Sequence, residues 1–255
     1  RRAVREIAFT SLANLDTAAI NDGQLNLVAA AFRDALESES DLQLRVQLLQ
    51  QTTRFIAGQE ALNLLLPAIK QGKPNEATEA SRQLAFIEPS ASAWQALIWA
   101  IDGSYATGDK KADIGSVNAA TRLALWTGLS SLDARPPDVT QATIDVLLQR
   151  GLSQESDQAV LEKIYVCAGR QAGIEFLPIL EAVVLDKQRD PLHRSVALLS
   201  MTAITERAVD APPISTLVIN LLGDTETQVR AQAIVALRRL NPDGASESLA
   251  DRLSQ

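Results

Sequence analysis

Residues 224–240 read DTETQVRAQAIVALRRL, and this stretch decides the fold because its pattern returns along the whole chain. Asp224 stands just ahead of a helical run, where its carboxylate can accept from backbone N–H groups two or three residues on, as an N-cap does. Val229, Ala233, Val235, Ala236, Leu237 and Leu240 then supply an apolar face, which predicts a helix over 225–240. Arg230 follows the acid by six residues.

Laid over the rest of the chain, the unit finds an arginine followed at +3 and +4 by apolar residues at Arg5, Arg45, Arg82, Arg122, Arg194 and Arg230, with Glu162 filling the gap. Subtracting successive positions gives intervals of 40, 37, 40, 40, 32 and 36 residues. A period in this range predicts stacked helix pairs. Six residues before each of these positions lie Glu39, Glu76, Ser116, Ser156 and Asp224, mostly capping or first-turn types. Gln188 breaks the rule, and Asp190–Pro191 is expected to cap that helix instead.

Asp224, Val229 and Arg230 resemble the HEAT-repeat family, whose second helix opens on Asp and carries a Val-Arg pair six residues later. Val4–Arg5 repeats the pair without a visible cap. The resemblance covers nearly all of the chain and implies an all-α, right-handed HEAT/armadillo-like α-α superhelix of about seven two-helix repeats, one array over residues 1–255. It also implies that each ladder arginine reaches the preceding repeat's acidic cap and ties the stack together. An anion-binding row is the other reading of the same arginines. The motif concerns packing, so it names no partner.

Composition suits such an array. With 46% hydrophobic but only 4% aromatic residues, the core is built from Leu, Ala, Ile and Val, which allow close helix stacking. The formal net charge of −7 and only six lysines argue against nucleic acid as the main partner, because affinity for phosphates comes from clustered cations. There is no run of 18 apolar residues, so no membrane span is expected. The single Cys167 forbids an internal disulfide, and in a helix interior it reads as a buried, inert thiol. The compartment stays open, with the cytoplasm favoured.

In chain order, helices are expected over 2–14, 22–37, 41–56, 59–71, 75–87, 91–102, 116–132, 139–149, 156–168, 173–185, 192–207, 214–222 and 225–240, with Asp22 as a cap. Gly72, Lys73 and Pro74 mark a turn, and Gly151 closes another. Pro67 and Pro178 are each expected to bend a first helix, whereas Pro212–Pro213 and Pro242 fall at first turns. Residues 103–115 form an inter-helix loop holding Tyr105, Lys110 and Lys111. Ala245, Leu249 and Leu253 read as a first helix whose mate is missing. Because the chain opens on a second helix and closes on a first, it is expected to be a fragment or internal domain of a longer protein.

Little in the sequence carries chemistry. The single His193 sits at a helix start, where a solvated ring is expected, and it excludes any multi-histidine metal site. There is no nucleophile elbow, no phosphate-binding glycine loop and no haem-attachment motif. No catalytic, cofactor-binding or metal-ligating residue is therefore assigned. Trp99 lies off the Trp94, Leu97, Ile98, Ile101 stripe, since five residues turn a helix by about 140°. A neighbouring helix is expected to bury it, although with Tyr105, Lys110 and Lys111 it is also a candidate partner contact.

The sequence thus reads as a non-catalytic scaffold whose inner surface, lined by second helices, binds a protein partner or a neighbouring domain of its own polypeptide. Two rivals stand beside this reading. One is a rigid spacer in a larger multidomain enzyme. The other is an enzyme on a HEAT-like frame, such as the bilin lyases or the alkylpurine DNA glycosylases; the latter would need a basic, aromatic-lined groove that this acidic chain lacks.

Overall fold

A computed structural model describes residues 2–16, 21–88, 90–104 and 117–240. Fourteen α-helices, and no strand, occur among the described residues. The chain divides into two compact units, Arg1–Val139 and Thr140–Gln255. Tyr105, Lys110, Lys111, Ser116, Pro242 and the segment 243–253 lie outside the described residues.

In the first unit, α1 spans Arg2–Ala13, α2 Asp22–Ser38, α3 Leu42–Leu49 and α4 Thr52–Phe55. These are followed by α5 at Gly58–Gln71, α6 at Pro74–Gln83, α7 at Ser90–Ser104 and α8 at Ala119–Ser131. Helix starts follow local chemistry. Asn21, not Asp22, caps α2 through a reciprocal box with Gln24, and Asp41 Oδ1 accepts from the N–H groups of Gln43 and Leu44 at 3.0 and 3.2 Å. The run expected as one helix over 41–56 is broken at Gln50–Gln51 into α3 and α4. Gly58 enters α5 at φ +56°, a backbone region open to glycine, and its N–H donates to the Glu88 carbonyl at 2.7 Å. Pro67 lies inside α5, as expected, and Gly72 ends that helix.

Within this unit the helices form two kinds of contact. The second members of each pair lie in a row, α1 on α3, α3 on α6 and α6 on α8. Each first member leans on its own partner, α2 on α3, α5 on α6 and α7 on α8. Trp94 and Trp126 are fully buried, and the Trp94 indole N–H donates to the Ala134 carbonyl at 2.9 Å, so its polar edge is satisfied. α1 is the weakest member: it buries no residue, and Val4 and Ile7 are exposed.

The second unit contains α9 at Gln141–Gln154, α10 at Gln158–Gln171, α11 at Leu177–Leu185, α12 at Pro191–Arg207, α13 at Ser215–Leu221 and α14 at Thr227–Leu240. Its row of second helices is α10 on α12 on α14, with α9, α11 and α13 against α10, α12 and α14 respectively. Asp157 and Asp190 cap α10 and α12, the latter as the sequence predicts. Two expectations fail here. Pro178 does not bend a helix, because a 3-10 turn at Ile174–Phe176 precedes α11 and leaves the proline in the first turn, where no N–H is missed. Gly151 does not close a turn; it is buried inside α9, which runs on to Gln154.

The α10–α12 contact is unusually close. A Cβ placed on Gly169 would lie 2.9 Å from Ser200 Cα, and the Ser200 hydroxyl donates to the Tyr165 carbonyl across the same contact at 2.7 Å. Along α14, Val229, Ala233, Ala236 and Leu237 are buried, while Ile234 and Val235 face outward. Val235 was expected on the apolar face; the helix begins at Thr227, and its buried stripe follows the 229, 233, 236, 237 register.

Candidate functional site

The six-residue spacing of acid and arginine produces one recurring arrangement. Glu39 and Asp224 sit in the turn before their second helix and Glu76 in the first turn of its own, and each satisfies a backbone N–H there: Glu39 Oε1 accepts from Asp41 at 2.8 Å, Glu76 Oε2 from Lys73 at 2.9 Å and Asp224 Oδ1 from Glu226 at 3.0 Å. Helical side chains lean toward the N-terminus, so the arginine six residues on folds back over the same turn. Arg45 Nη1 donates to the Leu36 and Glu39 carbonyls at 2.6 and 3.1 Å. Arg122 donates to Val117, Arg194 to Val184, and Arg230 to Asp224 and Thr225, all through the backbone oxygen.

The free edge of the guanidinium then crosses to a neighbouring module. Arg5 Nε lies 2.7 Å from Glu39 Oε2, Arg45 Nε 2.5 Å from Glu76 Oε1, and Arg194 grips Asp224 with two bonds, Nη1–Oδ1 at 3.1 Å and Nη2–Oδ2 at 2.5 Å. In each case the acid belongs to the following module, not the preceding one as the resemblance implied. Spacing is blind to this direction, because a period records which positions recur and not which neighbouring copy a side chain reaches. Arg82 departs from the ladder: 60% of its side chain is exposed, and it pairs with Glu79 on its own helix at 3.1 Å.

The electrostatics are those of structural pairs. The Arg194 guanidinium holds the Asp224 carboxyl below its ordinary range, against the opposing effect of burial. At Glu39, burial pushes upward and is outweighed by the Asp41 N–H and by Arg5, so this carboxyl is lowered too. Ionised and held on both edges, these acids are poor proton donors. Arg194 is 1% exposed, so its charge is spent on Asp224 and Val184 and is closed to an external anion. A cleft of about 630 Å³ opens beside the first-unit pairs, walled by Leu36, Glu39, Arg45, Pro67, Gly72 and Glu76.

The remaining candidates scatter. Trp99 is 41% exposed instead of buried, because α7 presents that side away from the helices that cover Trp94. His193 is buried, not solvated: its Nε2 is 3.1 Å from the Gln158 carbonyl oxygen and its ring packs on Tyr165 with centroids 5.6 Å apart. Cys167 is fully buried, and burial pushes its thiol up to about 12, which leaves it protonated and unreactive at neutral pH. Among the described residues, no group of three or more His, Cys, Asp or Glu side chains could hold a metal ion. No described helix is long and apolar enough to cross a membrane.

One cluster carried no sequence signal. Tyr165 on α10 accepts from Arg189 Nη1 at 3.3 Å, and Arg189 Nε lies 3.3 Å from Asp186 Oδ2. These residues are 24 positions apart in the chain and follow no ladder spacing, so only the packing of α10 against the α11–α12 turn unites them. Compared with protein-family models, with curated proteins and with solved structures, the chain matches none.

Proposed function

We propose that the chain is a HEAT-like α-solenoid that acts as a non-catalytic scaffold for a protein partner. Two observations support the architecture: second helices that follow one another in rows within each unit, and arginines that lock one module's turn to the next. In a solenoid each module can bury its apolar side only against its neighbours, which leaves long outer surfaces available for binding.

The single observation that carries the partner reading is the contrast among the three tryptophans. Trp94 and Trp126 are fully buried, whereas Trp99 keeps 41% of its surface in water. A large, rigid, half-exposed indole on a chain with few aromatics has the character of a binding hot spot. The test is site-specific photo-cross-linking. A benzophenone side chain at position 99 should give one dominant adduct with a second polypeptide in a lysate of the source cells, and Trp99→Ala should weaken capture of that same polypeptide at least about tenfold. The same probe at the fully exposed Val209 is the control. Equal adduct patterns at the two positions would refute the reading.

A further inference from the structure

Helix α1 is 12 residues long and buries none of them. A helix of that length is marginal in water by itself. It is held on one side, where Arg2 pairs with Asp41, Arg5 with Glu39, and the Arg54 guanidinium donates to the Ala13 and Leu15 carbonyls at its C-terminal end. Two residues turn a helix by about 200°, so Ile7 lies across the axis from both Arg5 and Phe9.

The side that Ile7 occupies has a character of its own. Ala3, Ile7, Thr10 and Asn14 follow one another at four, three and four residues and form a seam, with Val4 and Ser11 beside it. All six are exposed, Val4 by 66% and Ile7 by 68%, and none is charged. The polar members turn their donors onto the helix itself: the Thr10 and Ser11 hydroxyls donate to the Glu6 and Ile7 carbonyls at 2.9 Å, and Asn14 Nδ2 donates to the Thr10 carbonyl at 3.0 Å. Covering this face therefore strands no hydroxyl donor. Glu6 lies about 100° round from Ile7, at the margin, where water screens it.

The absence of charge singles out the occupant. In a two-fold contact each group near the axis meets its own copy, so a charge placed there repels itself. The α1 seam is free of that penalty. With the axis at Ile7 and the helices antiparallel, Val4 faces Thr10 of the other copy and Ala3 faces Ser11, small side chains that allow close approach. Helix α14 is the contrast. It also turns aliphatic side chains outward, Ile234 at 44% and Val235 at 46%, but Arg230 and Arg238 stand one turn to either side of Ile234, so self-contact there sets arginine against arginine. On a chain of net charge −7, self-association needs a neutral surface, and α1 supplies one.

We infer that two copies of the chain associate through α1, antiparallel about a two-fold axis at Ile7. The contact covers one helix face and falls below the roughly 1,200 Å² of stable complexes, so the dimer is weak and forms at micromolar concentration or above.

The test is sedimentation of the full chain from low micromolar to near-millimolar concentration, across which monomer should give way to dimer. Ile7→Glu, which sets two carboxylates on the axis, should weaken association at least about tenfold. Because Ile7 is exposed in the single chain, that change removes no core contact. Ile7→Cys gives a second readout: mild oxidation should link two copies at least about tenfold faster than in Leu27→Cys, a 73% exposed position on α2. Cys167 is fully buried and does not compete. A chain that stays monomeric throughout, a dimer that Ile7→Glu leaves unweakened, or equal oxidation rates at positions 7 and 27 would overturn the inference. None of these results bears on cross-linking at position 99.

Discussion

The arginine–acid pair is built three times at similar spacings and ends in two different environments. Around Arg5, Glu39, Arg45 and Glu76, the arginines keep 43% and 28% of their side chains exposed while their acids are almost covered. At Arg194 and Asp224 both partners are buried, 1% and 4% exposed, and the contact is bidentate. Identical motif chemistry therefore supports different energetics. In water-facing pairs, screening and side-chain entropy cancel most of the attraction, whereas removing one member of a buried pair strands an uncompensated charge.

The comparison breaks most sharply at Arg194. Arg194→Ala should lower stability by about 3–5 kcal/mol in chemical denaturation, because Asp224 would remain buried and charged. The double change Arg194→Met with Asp224→Leu should recover most of that loss, because no ion is then left stranded. A double variant as unstable as the single one would show that the hydrogen bonds to Val184 and Glu226 matter more than the charge.

The tight interior of the second unit offers the next test. Gly169→Ala should cost about 1–3 kcal/mol, since the added methyl meets Ser200 backbone that cannot retreat without parting α10 from α12. Thermal unfolding would detect it, and an unchanged midpoint would mean that the two helices separate freely. Arg45→Ala should fall lower, at about 1–2 kcal/mol, from its hydrogen bonds to the Leu36 and Glu39 carbonyls and its pair with Glu76. Arg5→Ala should be smallest, about 0–1 kcal/mol and shrinking further with added salt.

Acid sharpens the same contrast. Asp224 and Glu39 are both lowered in the folded protein, so the stability they confer is fully present above their unfolded values, 3.8 and 4.5. It is lost as pH falls through the lower folded values. Denaturation midpoints should therefore hold near neutrality and drop below about pH 4, and the Arg194→Ala variant should lose much of Asp224's share of that slope. An identical acid slope in that variant would remove Asp224 from the account.

How far the primary structure reached depends on whether a feature is local. Helical content, most helix positions, the Asp190 cap and the turn at Gly72–Pro74 follow from residues within a few positions of one another, because capping and amphipathic spacing act over one or two turns. The break at Gln50–Gln51 and the first-turn place of Pro178 were hidden, since both depend on how the chain is drawn onto its neighbours.

The candidate sites divide the same way. Sequence alone marked Arg5, Arg45, Arg194 and Asp224 as one family by their period, and set aside Trp99 by its helical angle. Only the tertiary structure decided that each of the three arginines grips the following acid, that one of these pairs is dry while two are wet, and that Trp99 faces water. It alone brought Tyr165, Asp186 and Arg189 to one groove. Periodicity records which face of a helix a residue occupies; burial and partnership belong to the surfaces of two helices at once, and no stretch of one helix contains them.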